Sequence, residues 1–494
     1  MKEKNNGGSY TKALKATTIF GGVQVIVILF QILKSKAAAI LIGTAGMGVL
    51  GLITQTVTFL SAITNFGLES SAVKNISSAE ASGDKGYLNK TVSVFQRLVL
   101  FTGLLGALLC LSLAPVLSKL VFDSGIYTTA FITVAVTLFF LQLTAGQNAV
   151  LQGMRETKLL AKSSVLSACA GVLVSVPIYY IYGVDGIASS ITISAFVNFL
   201  ITYYLARQVK IRRVPFSKDI FRTEGKNMLK MGFLLSMSSL VSIGCSFLVR
   251  IFITRTGSLS DVGLYNAGFA IIEGYVGIIF TAMAKDYYPR LAMVAHDVKE
   301  RNREVNQQTE IAILLLIPIL TVFLLCLNLI IVILYTKEFF GAIGMVRYAV
   351  LGMLLRAISW SMGYLLLAKG DSKIFFWSEV ISTIYVFSLN ILGYKFFGLE
   401  GIGIAFILIY FLHTLQIYIT TKYIYKFKFD PSLLKLLLIG TILISAQFFV
   451  VVQIESNYKF LIGLIICIIG ILISYKKLND KIGFLSIIKN RFKK

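Results

Sequence analysis

Apolar runs of about 20 residues, long enough for one helical crossing of a bilayer's hydrocarbon core, recur along the whole chain. Short charged or Gly-containing segments separate them. The pattern predicts fourteen helices, at 12–34, 46–72, 92–116, 127–151, 159–181, 186–206, 229–254, 262–284, 311–335, 342–367, 374–394, 401–423, 433–452 and 459–475. The run "KSKAAAILIGTAGMGVL" at 34–50 can extend the first helix, and the last two helices are short. The expected fold is therefore an all-α polytopic membrane protein.

Composition agrees. Hydrophobic residues make up 56% of the chain and charged residues 14%, against about 25% charged in a soluble domain. The net charge of +24 invites a nucleic-acid reading, but the placement of the charges favours basic membrane flanks instead. The gaps at 117–126, 182–185, 255–261, 336–341, 395–400 and 453–458 are short and near neutral. The alternate gaps are longer and mostly basic. Gap 207–228 carries Arg207, Lys210, Arg212, Arg213, Lys218, Arg222 and Lys226 against Asp219 and Glu224. Gap 424–432 carries Lys426 and Lys428 against Asp430, and the segment from 476 is basic. Both termini are thus expected in the cytoplasm. Lys34 and Lys36 break this rule, and gap 285–310 is only charge-balanced. The N-terminal helix has no small-residue cleavage site after it and reads as the first span. Cys110, Cys169, Cys245, Cys326 and Cys467 all lie in apolar runs without CxxC spacing, which argues for packing and against a metal site. No loop is long enough for a separate catalytic module, and no His, Cys or acid triad clusters, so no enzyme is expected.

Two phrases repeat. "YGVDGIAS" at 182–189 and "FGLEGIGI" at 397–404 are 215 residues apart. The same offset pairs Lys158 with Lys373, Ser163 with Ser378, Tyr179 with Tyr394, Gly186 with Gly401, and Gly48 with Gly263. Six spans fit each repeat, and an even number inserts both copies in the same orientation. The chain then divides into an N-lobe at 1–213, a C-lobe at 214–430, and a helix pair with a basic tail at 431–494. The two parallel six-helix lobes would enclose a central cavity.

Polar residues inside the spans indicate which faces avoid lipid. Thr17, Gly21, Gln24, Gln31 and Ser35 form one stripe on the first helix, and Ser239, Ser242, Ser246 and Arg250 form another on the seventh. The offset maps Gln31 to Ser246 and Ser35 to Arg250. The second helix shows Gln55, Thr58, Asn65 and Glu69, and the eighth Asn266 and Glu273. These stripes fit a wet cavity, or alternatively hydrogen bonds between packed helices. Arg356 is central in the tenth helix, where an unpaired cation costs about 2.5–3.5 kcal/mol on insertion scales. It calls for an acid partner, with Glu273 the obvious one, or for an anionic ligand. Lys34, Lys36, Arg97, Arg255 and Arg347 lie nearer helix ends, where snorkelling explains them equally well. Glu379 reads as interfacial and His413 as a packing residue. The resulting cation excess suits a phosphate-bearing substrate.

The passages "KSKAAAILIGTAGMGVLGLI" and "NFGLESSAVKNIS", with a GxxGI start to the sixth helix of each lobe, resemble the Wzx-type O-antigen translocases. These polysaccharide flippases belong to the MOP exporter superfamily, with the lipid II flippases and the MATE multidrug antiporters. The resemblance implies a flippase of the bacterial inner membrane. It would move an undecaprenyl-diphosphate-linked oligosaccharide, an O-antigen or similar repeat unit, from the cytoplasmic to the periplasmic leaflet by alternating access. Arg356, Arg250, Lys34 and Arg97 are then the candidate diphosphate contacts, with Gln24, Gln31, Ser246 and Asn65 beside them. Glu273 and Glu69 are the candidates for ion pairing or coupling. No cofactor is implied, and H+ or Na+ are the candidate coupling ions. The implied protein is a monomer in the lipid bilayer that binds a lipid-linked glycan, with other polysaccharide-export proteins as candidate partners and no nucleic acid. The last helix pair resembles the two added helices of the lipid II branch. A lipid II-type flippase and a MATE antiporter remain the alternatives.

Overall fold

The computed structural model describes residues 6–209, 211–212, 214–215, 218–454 and 458–482. Thr17 and Gly21 of the first polar stripe lie outside the described side chains, and Lys210, Arg213 and the basic residues beyond 482 lie outside the described residues. Among the described residues there is no strand, and eleven helical stretches are long and apolar enough to cross a membrane. Three of these stretches break internally, at Gly43, Gly183 and Gly398, with φ of 62°, 54° and 59°. Glycine reaches this left-handed region without the penalty a side chain incurs. Taken on both sides of the three breaks, the stretches give the expected fourteen, and the protein is a multi-pass all-α membrane protein.

The chain divides into two compact units, Met1–Gly263 and Leu264–Lys494. The first unit holds α1 (Asn6–Thr64, broken at Gly43), α2 (Leu68–Ala81), α3 (Lys85–Phe122), α4 (Thr128–Gly153), α5 (Thr157–Tyr182), α6 (Ile187–Ala206) and α7 (Lys218–Thr256). Within it α4 packs on α3 and α6, α5 packs on α1 and α6, and α7 packs on α1, α2 and α3. α8 (Leu259–Phe269) begins at the end of this unit. The second unit continues through a π-helical turn (Ala270–Val276) into α9 (Ile278–Met293). It then holds α10 (Val298–Leu334), α11 (Ile343–Lys369), α12 (Ser372–Tyr425, broken at Gly398), α13 (Pro431–Gln453) and α14 (Tyr458–Ile482). There α12 packs on α11, while α10 packs on α11, α13 and α14.

The repeated phrase has a mechanical meaning. Its first glycine breaks the helix. Its second sits where the two arms of the resulting hairpin touch. A Cβ on Gly401 would lie 1.9 Å from the Gly393 carbonyl oxygen. A Cβ on Gly186 would lie 3.0 Å from the carbonyl oxygen of Ile178, again 215 residues before Gly393. Eight residues of straight helix span about 12 Å, so these contacts require the chain to double back. Side-chain bonds close the second hairpin: Tyr385 donates to Gln416 Oε1 (2.8 Å), and Gln416 Nε2 donates to Ser378 Oγ (3.0 Å). Gly401→Ala should therefore force the arms apart, costing about 2 kcal/mol or more. The expected readout is a clear fall in apparent unfolding temperature of the detergent-purified protein, and an unchanged temperature would refute the close contact.

Two boundaries differ from the sequence expectation. The second span ends at Thr64 instead of running to 72. Phe66 and Gly67 turn left-handed (φ 48° and 62°), and Asn65 Oδ1 accepts the Gly67 N–H at 2.9 Å. This is the local side-chain bonding by which Asn competes with a helix. Asn65 and Glu69 are consequently not part of a stripe on the second span. The ninth predicted helix begins at Val298 rather than at 311, capped by Asp297, whose carboxylate accepts from the N–H groups of Lys299 and Glu300. The polar stretch 298–310 looks like a loop by hydropathy, but the Asp-x-x-Glu spacing at 297–300 was an available start signal. This helix also explains the charge balance of 285–310. Arg290 bonds Asp286 (2.8 Å) and Glu304, and Arg303 lies 3.7 Å from Glu300.

Gln447 of α13 is fully buried, and neither its Oε1 nor its Nε2 has a hydrogen-bond partner. Unpartnered buried polar groups cost about 1–3 kcal/mol. Gln447→Leu, close in volume, should raise the apparent unfolding temperature, and a fall in that temperature would count against this account.

Candidate functional site

Arg356 lies at the centre of α11, and Glu273 lies on the π-helical turn before α9. A π turn widens the helix by one residue and re-aims the side chains it carries. Here it brings the Glu273 carboxylate against the Arg356 guanidinium. Arg356 Nη1 donates to Oε1 at 2.7 Å and Nη2 to Oε2 at 2.5 Å. This is the two-pronged geometry that guanidinium and carboxylate share, stronger and more directional than a single ionic contact. The two partners are unequally covered. The Arg356 side chain is 17% exposed and that of Glu273 is 40% exposed.

Aromatic faces complete the surroundings of the cation. The Arg356 Cζ lies 5.2 Å from the Phe280 ring centroid of α9 and 5.5 Å from that of Tyr410 on α12. Ring faces are electron-rich and attract a desolvated cation by about 2 kcal/mol. Trp360 supports Phe280 (centroids 5.3 Å apart), and Phe406 supports Tyr410 (4.6 Å). Thr414 Oγ1 donates to the Leu355 carbonyl at 3.0 Å, fixing α12 against α11 beside Arg356. His413 packs edge-on to Tyr410, and its Nδ1 is buried without a hydrogen-bond partner. Glu379 is half-buried on the first arm of α12. The aromatic box escaped the sequence reading because Phe280 and Tyr410 look like ordinary apolar positions. Tyr410 stands three residues before His413, on the same helix face, and that spacing was the one available hint.

The other candidates are placed as follows. Arg250 turns back along α7, donating to Ser246 Oγ (2.6 Å) and to the Ser246 carbonyl (2.9 Å). The two residues that the periodicity put on one face do meet. Lys34 is half-buried on α1, near Gly171 of α5, and has no acidic partner within ion-pair distance among the described residues. Gln24 and Gln31 are exposed on α1. Arg97 donates to the Val214 carbonyl at 2.6 Å and so holds the linker that follows α6. Arg255 donates to the Leu120 carbonyl at 3.0 Å, near the C-terminus of α3. Asn65 is engaged in the turn after the second span. Glu69 is exposed in the first turn of α2, where a carboxylate complements the helix dipole. Among the described residues no group of His, Cys, Asp and Glu is arranged to hold a metal ion.

A family model described as "Polysaccharide biosynthesis protein" matches residues 37–344, more than half of the chain. The chain belongs to the polysaccharide biosynthesis protein family. A curated relative, the "Putative O-antigen transporter" of Shigella flexneri, is 22% identical over 230 residues, covering 46% of this chain and 54% of that protein. The match thus spans about half the length of that relative. Among solved structures, the lipid II flippase MurJ in an inward closed conformation is similar with TM-score 0.70 and 15% identity, covering 94% of this chain and 99% of that one. An inward-facing MATE multidrug transporter of the MOP superfamily gives 0.66 and 16%, covering 85% and 95%. The MATE transporter DinF-BH gives 0.62 and 15%, covering 86% and 98%. At these identities the likeness concerns the fold. Together with the family match, it gives this polysaccharide biosynthesis protein the fold seen in MurJ and in the MATE transporters.

Proposed function

We propose that this protein moves a lipid-linked oligosaccharide diphosphate across the bacterial inner membrane, from the cytoplasmic to the periplasmic leaflet. The observation that carries the proposal is the Arg356–Glu273 pair. A guanidinium held at mid-span by a single carboxylate, with aromatic faces around it, is a phosphate-competent cation with an exchangeable counter-ion. A diphosphate oxygen pair matches the fork that Glu273 now fills. Glu273, the more exposed partner, would give up the fork to an incoming diphosphate and reclaim it as the substrate leaves. Glu273 is thereby also the proposed point of ion coupling, without any cofactor. Lys34 and Arg250, with Gln24, Gln31 and Ser246 on the same stripes, are proposed to meet further phosphate and sugar groups. The basic loops support cytoplasmic termini. The family match and the Shigella flexneri relative support an oligosaccharide cargo.

Two readings compete. The fold likeness to MurJ leaves a lipid II-type cargo open, and the added pair α13 and α14 favours that branch. A MATE-type drug antiporter is disfavoured because the first unit's candidate carboxylate, Glu69, stands beyond the end of the second span. The deciding experiment is deletion of the gene followed by mass analysis of membrane lipids. Accumulation of an undecaprenyl-diphosphate oligosaccharide supports the proposal. Accumulation of lipid II moves the protein to the other flippase branch. Unchanged lipids with lost drug resistance would reject both.

A further inference from the structure

The polar end of α10 bears on a second site. α10 has 37 residues, about 55 Å of helix, against a hydrocarbon core of about 30 Å. Its apolar run starts only at Ile311, so the 298–310 end projects into the headgroup region. There it packs along the chain that leaves α12. Buried Arg301 donates to the carbonyls of Ala295 (2.9 Å) and Tyr425. Asn302 donates to the Lys426 carbonyl (3.2 Å) and Asn306 to the Lys428 carbonyl (3.0 Å). Asn306 Oδ1 also accepts the Asp430 N–H at 2.9 Å. Arg301, Asn302 and Asn306 thus pin the extended segment after α12 along α10.

Beside this seam lies a cleft of about 450 Å³, within the range of small-ligand sites. Lys299 and Arg303 line it from α10, and Lys428 lines it from the extended segment. Two acids also line it. Asp430 is engaged in capping α13, accepting from Ser432 N–H and Oγ at 2.9 Å, and Glu310 is 6% exposed. Three cations thus face the exposed carboxylate of Asp430 and the buried Glu310, and the cleft is net positive. On the same wall Asn302 Oδ1 is covered and accepts no hydrogen bond. Below the cleft α13 enters the bilayer with Leu434, Leu438 and Ile442 exposed at four-residue spacing, an apolar ridge leading away from it.

We propose that this cleft binds the headgroup of a membrane phospholipid. The phosphate ester would meet Lys299, Arg303 and Lys428. One acyl chain would follow the α13 ridge. The cleft lies apart from the Arg356–Glu273 pair, so a lipid here would brace the α10–α13 seam without entering the transport site.

The test is thermal unfolding of the full-length detergent-purified protein, titrated separately with dioleoyl-phosphatidylglycerol, dioleoyl-phosphatidylethanolamine, dioleoyl-phosphatidylcholine and glycerol 3-phosphate. Phosphatidylglycerol or phosphatidylethanolamine should raise the unfolding temperature. In the combined variant Lys299→Ala, Arg303→Ala, Lys428→Ala the half-effect concentration should rise about tenfold or more. Its lipid-free unfolding temperature should stay the same. Should that variant fail to fold, the pair Lys299→Gln and Arg303→Gln, on an exposed helix face, gives the same comparison. An unchanged half-effect concentration in the variant overturns the site. Equal stabilisation by phosphatidylcholine overturns headgroup recognition, and equal stabilisation by glycerol 3-phosphate overturns the lipid as source.

Discussion

Arg356→Ala is expected to abolish translocation while the protein still inserts and folds. The variant removes the guanidinium that would hold the diphosphate and leaves Glu273 without its two bonds. Breaking a buried pair typically costs about 3–5 kcal/mol and an exposed one about 0–1; because the Glu273 left behind is 40% exposed, about 1–2 kcal/mol is expected here. That loss alone could mimic a transport defect, so a double variant is decisive. Arg356→Met with Glu273→Leu removes both charges and should recover most of the stability, since apolar replacements of buried pairs are often neutral or stabilising. It should not recover transport. Arg356→Lys keeps the charge but loses the fork, and partial transport is expected. The measurements are surface glycan in a deletion strain and apparent unfolding temperature of purified protein. Normal glycan export in the double variant would show that the pair only holds helices together.

Glu273→Gln should separate substrate binding from release. The amide has nearly the shape of the carboxylic acid but carries no charge at any pH, so the Arg356 fork stays open to phosphate. Binding of a polyprenyl-diphosphate sugar should tighten by about tenfold, the scale of one charge-assisted bond. Turnover should fall, because nothing competes the diphosphate off the guanidinium. Transport in vesicles should also lose its response to an imposed proton gradient. If wild-type transport itself ignores the gradient, Glu273 has no coupling role, and the pair then acts by binding alone.

Some of this molecule could be read along one dimension. Each apolar run must satisfy its backbone internally, so its length nearly dictates a helix, and all the spans were visible this way. The repeated GxxGI phrase marked both hairpins because left-handed turns and backbone contacts demand glycine. Arg356 stood out because a lone cation at mid-span is costly, and Glu273 was the acid within the right spans.

What escaped was whatever depends on the phase of one helix against another. The π turn that aims Glu273 at Arg356 leaves no mark in hydropathy, and neither does the enclosure of the cation by Phe280 and Tyr410. Arg97, read as a candidate diphosphate contact, turned out to hold the Val214 carbonyl, and Asn65 to shape a turn. The projecting end of α10 looked like loop until its asparagines met the carbonyls of 426 and 428. Span length is a local property of consecutive side chains facing lipid. The partner a polar group finds is set by where the folded neighbours bring their acceptors, and residues remote in the chain supply those.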